Sequence, residues 1–241
     1  MFINRTKVED VINRLLKAKN EKDIILRLQE INEVFAKYSY FIMGNIEIFP
    51  IEVESYFYHP QWFPDTYSHI NELQSNRFLH PYLHRRGNKA KNKVILGKRG
   101  GIDIVLSNGT DYYFGLLIRM AELKIKGDYL SFEGPAKLKN FLLKKMDKME
   151  DLPIELKNRV ELIPRQVFHL PRIKLNPLRN PAYFELPIRT LNNLQKSKLK
   201  SKDLASIIAS KKMPLTQNTI ETLLGRPSTV ILNGVKRILL P

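Results

Sequence analysis

The chain has 241 residues, of which 43% are hydrophobic and 27% are charged. This composition is typical of a folded globular protein and excludes disorder over most of the length. Lys and Arg number 40 against 24 Asp and Glu, which gives a formal net charge of +16. Such an excess attracts polyanions, of which nucleic acid is the commonest, although a solvated lysine-rich surface is the alternative interpretation. The absence of cysteine excludes disulfides, a thiolate nucleophile and cysteine-based zinc sites.

The first 40 residues predict two amphipathic helices. Residues 6–9 (TKVE) have the pattern of a capping box, and the apolar residues that follow recur at helical spacing. Asn20 is placed to cap the second helix, whose apolar residues also fall on one face. Each helix is most simply a packing element.

A β-strand is predicted where the apolar period changes to two, near residue 46. The strand is expected to be broken or bulged at Pro50 and to run on to Phe57. Residues 59–81 are rich in proline, Asp, Ser, Asn and aromatic residues, which predicts a long ordered loop. Loops of that length within a compact domain are usually functional.

The middle of the chain predicts a hairpin followed by a third helix. Residues 101–107 and 111–123 read as two strands joined by a short Asn-Gly turn. The Gly-Pro pair at 134–135 predicts the helix start, with proline at the first helical position. Residues 159–189 predict short strands and turns, because prolines and asparagines separate brief apolar runs.

Residues 191–241 are predicted to form a small extension to a main domain of residues 1–190. The extension begins with a basic linker. Two short helices are expected over 202–211 and 216–224, and the Asn-Gly pair at 233–234 predicts a final hairpin. The helix pair is interpreted either as a packing element or as a helix-turn-helix reader of nucleic acid.

Residues 51–69 concentrate the groups needed to remove a base from nucleic acid. Glu54 lies near the end of the predicted strand, where a carboxylate can deprotonate water and stabilise an oxocarbenium-like transition state. Tyr56 falls on the same strand face, where its ring suits stacking on an unstacked base, and His69 can form the opposite wall. The alternatives are a surface salt bridge for Glu54, a core position for Tyr56 and a structural hydrogen bond for His69.

The segment 84–101 is rich in Lys and Arg and contains no acidic residue. Its glycines let backbone N–H groups approach phosphates beside the cationic side chains, although a flexible solvated loop is the alternative. Leu96 is a candidate apolar wedge between bases. Lys137 is a candidate anion contact at the start of the third helix. The candidate DNA-backbone contacts are His84, Arg85, Arg86, Lys98, Arg99 and Lys137.

In chain order these segments resemble the alkyladenine (methylpurine) DNA glycosylase family. The resemblance covers residues 45–190, roughly. The matching elements are ESY at 54–56, SH at 68–69, LGKRGGID at 96–103, LLIRMAEL at 116–123, GPAKL at 134–138, and Pro164-Arg165 or Pro171-Arg172-Ile173.

This resemblance implies an α+β fold in which helices flank a curved, mostly antiparallel sheet. It also implies a base-flipping glycosylase that uses no metal or cofactor. Glu54 would activate the attacking water, and Arg119 would support that water or Glu54 itself. Tyr56 and His69 would wall the base pocket.

Two positions depart from the family pattern. Leu96 stands where the family has an intercalating tyrosine, and Asp103 stands where the family has a base-contacting asparagine. A carboxylate accepts hydrogen bonds but cannot donate one as an amide does, so Asp103 favours a different base or protonation state. We therefore expect a divergent member of the family.

The sequence favours a DNA glycosylase-like protein that hydrolyses the N-glycosidic bond of a flipped, modified purine base in duplex DNA. The alternatives are a non-catalytic nucleic-acid-binding protein of the same fold and an RNA-directed protein. The first residues lack the apolar core of a signal peptide, and no stretch approaches a membrane span. We therefore expect a cytoplasmic protein without membrane contact, associated with the nucleoid in a bacterium. We also expect a monomer. The histidines show no HExxH pattern, so no metal is expected.

Overall fold

The computed structural model of the protein describes residues 5–18, 20–86, 89, 91–107, 109, 111–159, 166–196, 199–226 and 228–240. Its helices are α1 (Arg5–Leu16), α2 (Glu21–Glu33), α3 (Glu72–Ser75), α4 (Pro135–Lys145), α5 (Pro181–Phe184), α6 (Ser201–Ser210), α7 (Gln217–Leu224) and α8 (Thr229–Leu239). Its strands are β1 (Ser39–Met43), β2 (Ile46–Tyr58), β3 (Pro81–Leu83), β4 (Ile102–Val105), β5 (Tyr113–Ile125), β6 (Asp128–Glu133), β7 (Glu155–Asn158), β8 (Phe168–Leu170) and β9 (Arg189–Leu191). One π-helical turn (Val34–Tyr38) follows α2, and one 3-10 turn (Met149–Asp151) precedes β7.

The protein is α+β, with an antiparallel sheet that curls into a half-barrel and helices that flank it. The described strands follow the order β3-β4-β5-β2-β1-β7, while β6 pairs with β5 and the β8–β9 pair joins the sheet through β2. The two long central strands, β2 and β5, shift register at Pro50/Glu52 and again at Glu52/Val53. Such bulges bend a strand and increase its twist, which favours the curling of the sheet. Of the two alternatives predicted at Pro50, a break or a bulge, the structure shows the bulge.

The main core lies on one face of the sheet, beneath α1, α2 and α4. Val53 and Phe57 of β2 point into this core, together with apolar residues of β4 and β5. The residues between them on β2, Glu54 and Tyr56, point to the opposite face, because successive side chains of a strand alternate.

The predicted N-terminal helices are confirmed, with one correction. Helix α1 already includes Thr6, so the capping-box pattern lies within the helix and not at its start. Asn20 caps α2 as predicted, and its side chain accepts a hydrogen bond from the N–H of Asp23 at 2.9 Å.

The predicted C-terminal hairpin is wrong, since residues 229–239 form the helix α8. Ser228 caps this helix by accepting a hydrogen bond from the N–H of Ile231 at 3.4 Å. Gly234 lies where α8 crosses α6, and a Cβ at that position would lie 2.2 Å from Oγ of Ser201. The Asn-Gly pair therefore marks a close helix contact and not a turn. The two preceding helices are confirmed as α6 and α7, and α7 ends at Gly225 in the left-handed conformation.

Three further predictions concern the strands. The predicted pairing is confirmed as β4 and β5, while Asn108 of the predicted turn lies outside the described residues. Strand β6, which pairs with β5, was not predicted. Residues 171–173 do not form a strand, because β8 ends at Leu170 and the side chain of Arg172 turns back into the protein. The other candidate, Pro164-Arg165, lies outside the described residues. The domain boundary at residue 190 stays a prediction; β9 spans this position and pairs with β2.

Candidate functional site

Glu54 lies in the middle of the sheet, on the face opposite the main core. It pairs with Leu117 of β5 on one side and with Arg189 of β9 on the other. Leu117 also pairs with Asp103 of β4. Directly opposed residues of neighbouring strands point to the same face, so a single row across the sheet carries Asp103, Leu117, Glu54 and Arg189.

The Glu54 carboxylate is fully buried and accepts three hydrogen bonds. Its Oε2 accepts from the hydroxyl of Tyr56 at 2.8 Å and from the guanidinium of Arg119 at 3.2 Å. Its Oε1 accepts from the backbone N–H of Ile173 at 3.2 Å. The buried charge is thus paired with a cation and held in one orientation.

Arg119 reaches Glu54 because it lies at the irregularity between β2 and β5. Its neighbours Ile118 and Met120 pair with β2, whereas Arg119 itself does not. Its guanidinium contacts Glu54 and also Glu52, whose Oε1 lies 3.2 Å from Nε. Burial opposes the charge of Arg119, but the two carboxylates outweigh burial and raise the pKa of the guanidinium.

Glu52 is a site residue that the sequence analysis missed. It accepts from Arg119 and from Arg189, the latter at 3.0 Å. Burial raises the pKa of the Glu52 carboxyl despite these two cations. Strand periodicity was the available signal, because Glu52 precedes Glu54 by two residues, as Glu54 precedes Tyr56.

Tyr56 is bound at both its hydroxyl and its ring. Burial first, and then the nearby Glu54, raises the pKa of Tyr56 well above its usual range, so the hydroxyl remains a donor. The guanidinium carbon of Arg172 lies over the Tyr56 ring, 4.9 Å from its centroid, and 5.2 Å from the centroid of Tyr67. The ring predicted to stack on a base is thus stacked on a guanidinium in this structure.

His69 and Asp103 belong to one cluster on the same face of the sheet. The His69 ring centroid lies 4.4 Å from that of His84, and Nε2 of His84 lies 2.7 Å from Oδ1 of Asp103. The amide of Gln74 donates to Oδ2 of Asp103 at 2.9 Å. Burial first, and then the neighbouring His84, lowers the pKa of His69 to about 4, so its ring is neutral near pH 7.

Gly115 brings this cluster close to Tyr56. It pairs directly with Tyr56 across β2 and β5. A Cβ on Gly115 would lie 2.7 Å from Oδ2 of Asp103 and 2.7 Å from Nε2 of Gln74. The Asp103–Gln74 pair therefore occupies the space beside Tyr56 that a side chain would take, which only glycine permits.

The 171–184 segment covers Glu54. Its Ile173 donates to Glu54, and its Arg172 donates to the carbonyl of Tyr183 at 2.8 Å, which closes the segment on itself. Further apolar residues of this segment pack against Tyr56, Tyr67 and Leu117. This segment therefore shields the Glu54 carboxylate from solvent.

Some of the predicted DNA-backbone contacts on the basic segment 84–101 are exposed to solvent, whereas others are paired with carboxylates of the protein. Arg86, Lys98 and Arg99 are exposed, and Leu96 is 70% exposed. Arg85 instead forms a two-pronged ion pair with Glu150, at 2.7 and 2.5 Å. His84 is engaged by Asp103.

Helix α4 anchors this segment through two side chains that the sequence analysis did not single out. Lys139 is fully buried, and its ammonium donates to the carbonyls of Ile95 and, at 2.9 Å, Arg99. The amide of Asn140 donates to the carbonyl of Gly97 at 2.8 Å. Lysine-rich helices usually expose their lysines, so the pattern gave no signal for a buried one.

The predicted groups therefore separate into two sets. Glu54, Arg119 and Tyr56 contact one another, and His69 and Asp103 form a second cluster on the same face of the sheet through His84 of the basic segment. The remaining predicted residues lie on the basic segment and at the start of α4, where Lys137 is exposed.

Over the described residues, no group of three or more acidic or histidine side chains is placed to hold a metal ion. None of the helices in the described part of the chain is long and apolar enough to cross a membrane. Comparison with models of known protein families gave no match, and neither did comparison with curated proteins.

Proposed function

We propose that the protein binds nucleic acid, extrudes a base, and hydrolyses its N-glycosidic bond at Glu54, as a divergent relative of the alkyladenine DNA glycosylases. One observation carries the proposal. Glu54, Tyr56 and His69 come from one short stretch and Asp103 and Arg119 from two later strands, yet all five lie on one face of the sheet, in two clusters of contacting side chains. A carboxylate, a cation and aromatic rings on one side of a sheet are the groups that this chemistry needs.

In the proposed reaction, the Glu54 carboxylate takes a proton from a water molecule, whose oxygen bonds to the anomeric carbon of the sugar. The bond from that carbon to the base nitrogen breaks, its electron pair leaves with the base, and solvent supplies the base with a proton. Arg119 fixes the carboxylate through the 3.2 Å contact to Oε2. His69, neutral near pH 7, can donate one hydrogen bond and accept another, and Asp103 accepts from a donor on the base.

The charge of the chain supports a polyanionic substrate. The net charge is +16, and the exposed Arg86, Lys98 and Arg99 share one short segment with the exposed apolar Leu96. Proteins that distort DNA often use this arrangement: cations contact the phosphates, and a neighbouring apolar side chain enters the base stack.

A second candidate function is nucleic-acid binding without catalysis. It is favoured by the full burial of Glu54 beneath the 171–184 segment and by the stacking of Tyr56 on Arg172. In this alternative, the buried carboxylate and guanidinium groups hold the sheet and the 171–184 segment together.

An assay for abasic sites separates the two candidates. Duplexes with alkylated, deaminated or normal purines are incubated with the wild type, Glu54→Gln and the control Glu47→Gln, and abasic sites are cut with alkali. Glu47 lies at the far end of the same strand, in a partly exposed ion pair with Lys124. We expect Glu54→Gln to lose base release by about 10²–10⁴-fold while it still binds DNA, and Glu47→Gln to act as wild type.

Two other results decide against the leading proposal. If Glu54→Gln releases base as fast as the wild type, Glu54 is not the base. If the wild type binds with a steep salt dependence but yields no abasic site from any duplex, the non-catalytic function is correct. Competition between matched DNA and RNA duplexes then identifies the natural polymer.

A further inference from the structure

A pocket of about 260 Å³ lies between the sheet and the start of α6, beside the Glu54 site. Five cationic residues line it: Arg119, Lys137, Lys174, Arg189 and Lys200. They come from β5, α4, the 171–184 segment, β9 and the N-cap of α6. The fold thus brings positive charge from five separate parts of the chain to one concavity.

The negative charge in the pocket is already engaged. Glu52 at its floor is held between Arg119 and Arg189 at 3.2 and 3.0 Å. Glu133, the other acidic lining residue, also has a partner. Arg119 and Arg189 also pair with Glu54 and Asp203, so the positive excess of the lining rests on its three lysines.

The three lysines supply the unbalanced part of that charge. Lys137, Lys174 and Lys200 are all exposed. Within the part of the chain that the structure describes, no carboxylate pairs with their ammonium groups. Like charges gathered around one concavity repel one another, and an anion placed between them removes that repulsion.

Two helix starts add to the same field. Gly134, the N-cap of α4, and Lys200, the N-cap of α6, both line the pocket. The first turns of α-helices carry N–H groups without intrahelical acceptors and a partial positive charge, and they favour phosphate groups. The helix starts strengthen a site that the cations and the cavity already define.

We propose that this pocket binds a phosphate group. Its volume lies below the range of about 300–1,000 Å³ that is usual for drug-sized ligands, so it suits a small anion better than a whole nucleotide. The C-terminal extension contributes Lys200 and the start of α6, which gives the extension a binding role in addition to packing.

The phosphate pocket and the candidate catalytic site share Arg119. Its Nε faces Glu52 in the pocket, and its Nη1 faces Glu54. A nucleic-acid phosphate in the pocket would therefore lie next to Glu54. The phosphate site itself requires no chemistry at Glu54, so it extends beyond the proposed function and is tested without a base-release assay.

The test compares the wild type with two triple variants of equal net charge. The first, Lys137→Gln/Lys174→Gln/Lys200→Gln, removes the unpaired charge of the pocket. The control, Lys22→Gln/Lys126→Gln/Lys212→Gln, removes three exposed lysines that do not line it. All six substitutions are at exposed positions, so both variants are expected to fold.

Thermal unfolding is measured in inorganic phosphate and in chloride at equal ionic strength. We expect phosphate to raise the Tm of the wild type and of the control by several degrees, because a ligand that binds only the folded state stabilises it. The pocket variant is expected to lose this difference. If the pocket variant gains as much from phosphate as the control, or if phosphate stabilises none of the three proteins, the proposal is overturned.

A second experiment distinguishes a nucleic-acid phosphate from the phosphate of a free small molecule. It measures duplex binding by fluorescence anisotropy over a range of salt concentrations. Loss of one phosphate contact reduces the slope of log K against log salt by about 1. If the pocket variant shows this reduction relative to the control, the pocket takes a nucleic-acid phosphate. If phosphate stabilisation is lost but the slopes agree, the pocket takes the phosphate of a free small molecule.

Discussion

Arg172 and Asp65 form an ion pair of 2.6 Å in which both side chains are fully buried. The same guanidinium donates to the carbonyl of Tyr183 and lies over the rings of Tyr56 and Tyr67. This pair therefore fastens the 171–184 segment over the face of the sheet that carries Glu54. A movement of this segment that exposes Glu54 has to accommodate this ion pair.

Substitution of one partner is expected to be strongly destabilising. Asp65→Asn removes the negative charge and leaves the guanidinium of Arg172 buried without compensation, which costs about 3–5 kcal/mol of unfolding free energy. The double variant Asp65→Leu/Arg172→Met removes both charges and is expected to recover much of that loss. Urea unfolding of the wild type, Asp65→Leu, Arg172→Met and the double variant gives the coupling energy, and Asp65→Asn is measured in the same series. A loss below about 1 kcal/mol for Asp65→Asn contradicts the burial of the pair.

The basic segment is expected to depend on the buried Lys139. Lys139→Met removes the donor to the carbonyls of Ile95 and Arg99. Burial lowers the pKa of the Lys139 ammonium, which is consistent with its enclosed position. We expect a loss of about 1.5–3 kcal/mol in stability, since a hydrogen bond to a charged group contributes about that much. Hydrogen exchange in residues 91–99 should accelerate.

The control for this prediction is Lys144→Met, which removes an exposed lysine from the same helix. Both variants lose one charge, so only the loss of anchoring distinguishes them. Equal exchange rates in the two variants would show that α4 does not hold the basic segment.

Gly234 provides a test of the contact between α6 and α8. In an exposed helix interior, Gly→Ala stabilises by about 0.4–1 kcal/mol. Here the sign is expected to reverse, because the added Cβ would lie 2.2 Å from Oγ and 2.9 Å from Cβ of Ser201. Gly234→Ala should therefore lower the unfolding midpoint, and Ser201→Gly in the same chain should relieve part of the loss. An increase in stability for Gly234→Ala alone would place α8 away from α6.

The same glycine shows where prediction from sequence reached its limit. Local patterns identified the helix cap at Asn20, the bulge at Pro50 and the shared face of Glu54 and Tyr56, because each depends on residues a few positions apart. The Asn-Gly pair at 233–234 has the same local pattern in a hairpin turn as in this close helix contact. Only the packing of α6 against α8 decides between them.

The candidate site follows the same division. The two-residue repeat of side chains along a β-strand was sufficient to place Glu54 and Tyr56 on one face. The same repeat also indicates Glu52. The row from Asp103 through Leu117 to Arg189 depends on register between strands that are distant in the sequence, and no local pattern gives that register. The burial of Arg172 and Lys139 is equally nonlocal, since these side chains are usually exposed.

The last prediction concerns the pH dependence of stability at His69. Burial and the adjacent His84 lower the pKa of His69 to about 4 in the folded protein, from an ordinary value of 6.5. The unfolded chain therefore binds a proton between these values that the folded protein does not. The stability that the folded protein has from keeping His69 neutral is therefore fully present above pH 6.5 and is lost as the pH falls toward 4. The limiting slope of the unfolding free energy is about 1.4 kcal/mol per pH unit for one proton.

His69→Phe keeps a ring beside Tyr82 and His84 but cannot take up a proton. We expect its unfolding free energy to fall less steeply than that of the wild type between pH 6.5 and 4, whatever the offset at pH 7. Urea unfolding at half-unit pH steps measures the two slopes. If His69→Phe and the wild type run parallel over this range, His69 is not buried beside His84, and it cannot serve as the neutral wall of the proposed base pocket.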